Sequence, residues 1–398
     1  MVKIIVSTIP MFVCVFWSIL LLLEYKNHNK SKFFLGLYMV IAFLLYLGHA
    51  AYFNREYAFY GFWDNIYVFC SLAVYPLYYI YIKLISKKMS LEVRDFWVLL
   101  PSFFMLLFSF TIYASMTRDE MAFYVQHIIY NKNYLEYVNL SSSLFAQMIK
   151  LRLFSIIFFV QLIPVVYFGR KHIVAYNKKI RDYYADTEGK TLQHFNLLLY
   201  IFIVTSVASS IANILGKSFF VQSTWLLLIP ALLFGVLLFT IGYLGYHQDF
   251  TLETFISDVK KDETKISNQS EVELNNGYND SIKQRLLDDL NDLLHKKEIY
   301  KKTDLRITDI SKKLNTNRTY ISRVVNEELN TNFSDLINQF RVEHAKKLLR
   351  EKDCKTLGLS QVGELSGFKS DSSFYRIFKE KEGVSPGDFR KKINKDCE

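Results

Sequence analysis

The 398-residue sequence has only four cysteines, and their positions do not fit a metal site or a disulfide framework. Cys14 and Cys70 lie in apolar segments, whereas Cys354 and Cys397 lie in the polar carboxyl-terminal part. Zinc-binding cysteines and histidines stand at short, fixed separations, which are missing here. The sequence also lacks a Walker loop, a kinase glycine-rich segment and an HExxH pair. These absences predict a protein that is not an enzyme and needs no metal or other cofactor.

Proline is also scarce, and its placement points to a membrane. Five of the six prolines fall inside long apolar runs, where a water-soluble helix tolerates proline poorly but a transmembrane helix accepts it. Each run has about the 17–25 residues that a spanning helix requires. The runs are residues 4–23, 33–53, 66–86, 96–116, 153–169, 195–215 and 225–246. We therefore predict an all-α protein in which residues 1–250 form a seven-transmembrane helical bundle.

The basic residues predict the orientation of this bundle. Loops one, three and five (residues 24–32, 87–95 and 170–193) hold 12 Lys and Arg, against 7 in the amino end and the other three loops. Cytoplasmic loops are enriched in these residues, so the N-terminus is predicted outside and the C-terminus in the cytoplasm. The first run has no small-x-small cleavage site, and we expect it to be retained.

Three polar residues within the runs are candidates for a ligand pocket: His49, Gln161 and Asn213. Polar side chains in lipid are unfavourable without partners, so they mark either a binding site or hydrogen-bonded packing contacts between helices. Loop 170–193 likewise allows two interpretations. It either docks against the carboxyl-terminal domain or only sets the topology through its charge. Residues 251–280, which have few large apolar side chains, are predicted to form a polar linker.

Residues 281–398 contain an internal repeat with helical period. Two short helices present the same alternation of an apolar face and a polar strip, offset by 53 residues. The apolar faces are Ile321, Val324 and Val325, then Phe374, Ile377 and Phe378. The polar strips are Arg318, Thr319, Ser322, Arg323 and Asn326, then Asp371, Ser372, Tyr375, Arg376 and Lys379. Gly367 suits the tight turn before the second helix, which predicts two helix-turn-helix motifs. A spacer helix, with Ser334 as its expected N-cap, lies between them.

Two sequence segments resemble those of a known protein family. The spacer contains RVEHAKKLL, and the second motif contains GFKSDSSFYRIFKEKEGVSP. Over about residues 299–394 the chain resembles the DNA-binding domain of AraC/XylS-type transcription regulators. The resemblance implies that the second helix of each motif enters the DNA major groove and that the two polar strips contact DNA. Gly363 stands where a small helix former such as Ala is common, and we expect it to loosen the second motif.

Physical chemistry agrees with this interpretation. A major groove about 12 Å wide admits an α-helix, and arginine pairs bidentately with guanine, so Arg323 and Arg376 are the best candidates for reading bases. From residue 297 to 395 the sequence has 22 Lys and Arg against 14 Asp and Glu. The excess of eight positive charges favours the phosphate backbone as a partner.

Seven spans joined to such a domain resemble bacterial membrane-bound AraC-type regulators. The sequence therefore predicts a regulator in the bacterial inner membrane that binds promoter DNA and the lipid bilayer and couples an unknown membrane or extracellular signal to gene expression. That signal is a small molecule or a property of the membrane, and a homodimer is a further expected partner. The alternatives are a membrane transporter or enzyme with an appended autoregulatory DNA-binding domain, and a regulator whose spans only anchor it.

Overall fold

The computed structural model describes residues 2–24, 29–87, 90–130, 141–215, 224–267, 280–351 and 357–396. Within these ranges the chain is helical and has no β-sheet, which confirms the all-α class. It divides into two compact units. The first unit is Met1–Val174 with Leu192–Glu253, and the second is Ala175–Thr191 with Thr254–Glu398.

The first unit consists of long apolar helices and one short polar helix. They are α1 (Val2–Leu23), α2 (Lys30–Phe53), α3 (Tyr57–Ser86), α4 (Leu100–Ser115), the short α5 (Arg118–Phe123), α6 (Ser142–Arg181), α7 (Gln193–Leu215) and α8 (Thr224–Tyr246). Among the described residues, six segments are long and apolar enough to cross a membrane, namely α1, α2, α3, α6, Val93–Ser115, which contains α4, and Trp225–Tyr246, which lies in α8. Helix α7 covers the remaining predicted run, but its described apolar stretch, Gln193–Val207, is shorter. The count of seven stays a prediction.

The surface of the first unit carries large apolar side chains. Phe12 is 64% exposed, Ile163 72% and Trp225 78%. Many other large apolar side chains of these long apolar helices are also exposed, which indicates association with a membrane. The polar groups Asp64 and Lys150 are buried instead.

The second unit begins with the last turns of α6 and the loop after it. It continues with α9 (Leu252–Ser267), α10 (Asp280–His295), α11 (Ile307–Lys313), α12 (Arg318–Arg323), α13 (Phe333–Arg350), α14 (Leu359–Leu365), α15 (Asp371–Glu382) and α16 (Pro386–Asp396). A π-helical turn, Val324–Glu328, extends α12. Helix α9 occupies the first half of the predicted linker 251–280. Residues 268–279 of that linker, like Cys354 and Cys397, lie outside the described residues.

Helix α13 is the predicted spacer, but its N-cap is Asn332, whose side chain accepts a hydrogen bond from the Asp335 amide. The expected cap, Ser334, lies inside the helix. Its buried hydroxyl donates to the Ala185 carbonyl at 2.9 Å, so a long-range contact uses the group that the local pattern assigned to a cap.

Helix α13 also carries a buried cation, Arg341. Arg341 donates hydrogen bonds to the carbonyls of Tyr300 (2.8 Å), Lys302 (2.7 Å) and Thr303 (3.2 Å). Burial lowers the pKa of Arg341 to about 10. The side chain therefore stays charged at neutral pH and ties the segment before α11 to the spacer helix.

Candidate nucleic-acid interface

Helices α11 and α12 form one helix-turn-helix motif, and α14 and α15 form the other. The N-caps of α12 and α15 are also 53 residues apart. The Asn317 side chain accepts a hydrogen bond from the Thr319 amide, and the Ser370 side chain accepts one from the Ser373 amide. The same offset holds in the core, because Ile321 and Phe374, which are 53 positions apart, are both fully buried. The predicted apolar faces are therefore the ones that pack.

Two glycines set the geometry of the second motif. Gly367, with a φ of +90°, has no room for a side chain because an added Cβ would lie 2.5 Å from the Tyr300 carbonyl oxygen. An added Cβ at Gly363 would lie 2.9 Å from a ring carbon of buried Phe374. The missing side chain of Gly363 therefore lets α14 and α15 approach closely, whereas the expectation that this glycine loosens the motif stays a prediction.

The polar strips face outward over most of their length. The exposed members are Thr319, Arg323, Asp371, Ser372, Tyr375, Arg376 and Lys379, and the half-buried ones are Arg318, Ser322 and Asn326. Arg323 and Arg376 each have a carboxylate four residues on, Glu327 and Glu380, at 3.8 Å. Exposed ion pairs of this length contribute little to stability.

Carboxylates from two other segments contact the same helices. Glu188, in the loop after α6, accepts hydrogen bonds from the hydroxyls of Ser370 and Ser372 at the start of α15. Glu263, in α9, forms an ion pair with Arg318 at 3.3 Å. Sequence reasoning missed both acids. The only signal was the mixed charge of loop 170–193, for which docking was one of two interpretations.

The loop carrying Glu188 is built into the second unit. Tyr184 and Arg306 form an isolated antiparallel bridge, in which the Ala185 amide donates to the Leu305 carbonyl at 3.0 Å and the Ile307 amide to the Tyr183 carbonyl at 2.9 Å. Of the two interpretations of loop 170–193, the docked one describes its residues 175–191.

Helix α9 is fixed to the same loop through Asp262. This carboxylate accepts hydrogen bonds from Tyr183 at 2.7 Å and from Arg306 and Thr308 at 3.0 Å each. Burial alone would raise the Asp262 pKa, but these bonds and the charge of Arg306 hold it below its usual value. Burial would likewise raise the Glu188 pKa, and the bonds from Ser370 and Ser372 together with nearby Arg376 and Lys190 hold it low. Both acids are therefore charged at neutral pH.

The three candidate pocket residues in the first unit do not converge among the described residues. His49 lines a small aromatic cavity of about 60 Å³ together with Tyr46, Tyr67 and Phe158. Gln161 is buried but does not line this cavity. Asn213 lies in α7, and its side chain is outside the described part of the chain. A ligand pocket formed by these residues stays a prediction.

A buried ion pair in the first unit also escaped sequence reasoning. Lys150 lies 2.6 Å from Asp64, and their side chains are only 1% and 5% exposed. The Tyr113 hydroxyl donates to Asp64 at 3.0 Å, and the Lys150 ammonium lies 5.0 Å from the centre of the Tyr113 ring. Lys150 and Asp64 both lie between the predicted apolar runs. They are 86 positions apart, so no periodic sequence pattern indicates that they pair.

The carboxyl-terminal region is similar to known transcription regulators. Residues 310–392 match the family described as "Helix-turn-helix domain". Over 91 residues, 23% of the chain, it is 32% identical to the Msm operon regulatory protein of Streptococcus mutans, of which the match covers 32%. Over 88 residues, 22% of the chain, it is 30% identical to the uncharacterized HTH-type transcriptional regulator YtdP of Bacillus subtilis, of which 11% is covered. No solved structure matches the chain.

A third relative, the xylose operon regulatory protein of Haemophilus influenzae, is 24% identical over 86 residues, which are 22% of this chain and 21% of that protein. The chain thus matches at most 32% of the length of these relatives. The AraC-type helix-turn-helix domain predicted at the carboxyl terminus is confirmed.

Proposed function

We propose that this chain is a membrane-bound, sequence-specific DNA-binding transcription regulator that couples a membrane or extracellular signal to gene expression, and that it is not an enzyme. The observation that carries the proposal is the pair of helix-turn-helix motifs in register, each with a buried apolar face and an outward polar strip. Helices of this kind insert into the major groove. The similarity to three regulators, two of them named for operons, supports the same conclusion.

In this proposal the two polar strips contact promoter DNA. Arg323 and Arg376 are exposed, and in this proposal each turns toward a guanine and binds it bidentately. The hydroxyls of Ser372 and Thr319 lie in the first turns of their helices, where contacts to phosphate oxygens position a protein on DNA.

The two chain segments that form the second unit support the predicted membrane topology. Residues 175–191 and 254–396 pack into one body, so they lie on the same side of a membrane. The intervening residues 192–253 must therefore cross an even number of times, which favours both α7 and α8 as spans. Because DNA is cytoplasmic in a bacterium, loop five and the C-terminus would both lie inside, as the basic residues predict.

Binding by the full-length chain in lipid nanodiscs tests the DNA-binding proposal. A duplex selected from a random-sequence library is compared with an unselected duplex, for the wild type and for Arg323→Ala and Arg376→Ala. Each change should cost about 1–3 kcal/mol on the selected duplex and less on the unselected one. Arg285→Ala is the control, since this arginine lies in α10 and its side chain is 84% exposed. Equal losses on both duplexes, or no selection of any sequence, would contradict specific binding.

Reporter fusions test the topology. A fusion after Thr117 should report the periplasm and a fusion after Tyr246 the cytoplasm. A periplasmic signal after Tyr246 would overturn the proposal, because the helix-turn-helix motifs would then be separated from DNA.

A further inference from the structure

We propose that the chain carries an autoinhibitory device, in which Glu188 and Glu263 occupy the DNA-contacting ends of α15 and α12 and must leave before both helices bind DNA. We call the contacts of Glu188 with Ser370 and Ser372, and of Glu263 with Arg318, the autoinhibitory contacts. The inference rests on the proposed DNA-binding function.

The contact at α15 resembles the one that DNA would make. Ser370 caps this 12-residue helix, and its hydroxyl and that of Ser372 donate to the two carboxylate oxygens of Glu188. The N-terminus of a helix attracts anions, and phosphate is the usual ligand of such an end in a DNA complex. Glu188 therefore provides a negative charge and acceptor oxygens where a phosphate would provide them. A carboxylate and a phosphate cannot share this place.

The contact at α12 uses an ion pair instead. The Arg318 guanidinium lies 3.3 Å from Glu263 and 5.9 Å from the centre of the Tyr183 ring. It is thus held between helix α9 and the loop after α6. Arg318 belongs to the polar strip proposed to contact DNA, and releasing it means breaking its pair with Glu263. Each motif therefore has one member of its strip engaged by an acid from a different segment.

The chain segments that carry these two acids are held in place by hydrogen bonds to the rest of the second unit. This distinguishes the autoinhibitory contacts from accidental ion pairs between mobile surface side chains. The loop before Glu188 is joined to residues 305–307 by the bridge between Tyr184 and Arg306. The Ala185 carbonyl accepts from Ser334 at 2.9 Å and from Asn338 at 3.2 Å, both in the spacer helix α13. Asp262, one residue before Glu263, is bonded to Tyr183, Arg306 and Thr308. Both acids are consequently presented to the motifs at a fixed position.

The two segments also continue directly from apolar helices of the first unit. Glu188 follows α6 by seven residues, and α9 begins six residues after α8 ends. A change in α6 or α8 therefore has a short covalent path to the autoinhibitory contacts. The chain would bind DNA weakly until a signal acts on those helices, and such coupling through a two-state element is what allostery requires.

The test uses the full-length chain in nanodiscs and a duplex selected from a random library with the Glu188→Gln/Glu263→Gln variant. Glutamine keeps the size of each side chain and removes its charge. Each single change should tighten binding several-fold, and the double change by about five- to fiftyfold, within the usual range of allosteric coupling. Glu253→Gln is the control of equal charge change. This residue is exposed at the first turn of α9, away from both motifs in sequence.

The outcomes separate this inference from the proposed function. If the glutamine variants bind with wild-type affinity while Arg376→Ala still weakens binding, autoinhibition is wrong and the regulator proposal stands. If no variant selects any sequence, the DNA-binding proposal itself fails. If Glu253→Gln tightens binding as much as Glu188→Gln, net charge explains the effect and the autoinhibitory contacts are rejected.

Hydrogen exchange gives a second readout that does not depend on substitutions. In the wild type, peptides covering residues 186–190 should exchange faster when the selected duplex is bound, because Glu188 has been displaced. Unchanged or slower exchange there at saturating DNA would show that the loop stays docked, which would overturn the inference.

Discussion

The phenolic hydroxyl of Tyr183 donates a 2.7 Å hydrogen bond to Asp262, joining the loop that follows α6 to the helix that follows α8. The two residues are 79 positions apart, and α7 and α8 lie between them in the chain. Asp262 also accepts from Arg306 and Thr308, so one carboxylate links three segments of the second unit. Because this link precedes Glu263 by one residue, it fixes the acid that engages Arg318.

Removing this hydrogen bond should loosen both autoinhibitory contacts without touching either acid. Tyr183→Phe deletes only the hydroxyl, and the loss of one hydrogen bond to a charged group costs about 1.5–3 kcal/mol. We expect tighter binding to the selected duplex and faster hydrogen exchange in residues 183–190. Tyr176→Phe is the matched control, since its hydroxyl donates to the Lys190 carbonyl in the same loop but not to α9. Equal effects of both changes would contradict a special role for Asp262.

Replacing Arg341 should destabilise the second unit. Arg341→Met would leave the carbonyls of Tyr300, Lys302 and Thr303 without this donor. We expect a loss of about 2–4 kcal/mol in the opening free energy of α13, measured by hydrogen exchange, because unpaired buried acceptors are costly. Arg341→Lys keeps the charge but lacks the planar fork and should lose an intermediate amount. A loss below about 1 kcal/mol for the methionine variant would show that water or relaxation replaces these bonds.

Adding a methyl group at Gly363 should destabilise the second motif. Alanine gains about 1 kcal/mol of helix propensity, but overpacking a buried site costs about 1–3 kcal/mol. With Phe374 only 2.9 Å from the added carbon, we expect a net loss, seen as faster hydrogen exchange in α14 and α15. Gly387→Ala provides a control, because its added Cβ would meet the nearest atom at 3.5 Å. Stabilisation by Gly363→Ala would show that α15 shifts at little cost.

The stabilisation of the folded chain by the charged Glu188 should disappear only at acidic pH. Its pKa in the folded chain is depressed, so the stabilisation is fully present above the unfolded pKa of about 4.3 and is lost as the pH falls through the folded value. The difference in stability between wild type and Glu188→Gln should be constant from pH 8 to about 5 and shrink below about 4. Thermal unfolding of both proteins across this range measures it. A difference that shrinks between pH 8 and 6 would identify another titrating group.

A fragment of residues 281–398 should bind DNA without detergent and without autoinhibition. It keeps the core of Val342, Leu349, Phe374 and Phe378 but lacks both Glu188 and Glu263. We expect its circular dichroism to be helical and its affinity for the selected duplex to equal or exceed that of the double glutamine variant. A folded fragment that binds no more tightly than the full-length wild type would contradict autoinhibition. An unfolded fragment would show that α9 and the loop are needed for folding.

The sequence by itself determined the features that depend on local pattern. Burial of Ile321 and Phe374 follows from helical period, and the two polar strips recur at the same 53-residue offset. Apolar run length likewise located the helices of the first unit, because a spanning helix needs a minimum of consecutive apolar residues. These signals lie within a few turns of chain and need no knowledge of distant partners.

Only the tertiary structure decided which distant groups meet. Glu188 and Ser370 are 182 positions apart, and Asp64 and Lys150 are 86 apart, so no periodicity relates them. The same holds for Ser334, which fits an N-cap locally but bonds to Ala185, and for Gly363, whose role depends on the Phe374 ring beside it. Such pairings result from how whole helices pack, and packing depends on all the side chains at once. The helix-turn-helix motifs could therefore be predicted from the sequence, whereas their contacts with Glu188 and Glu263 could not.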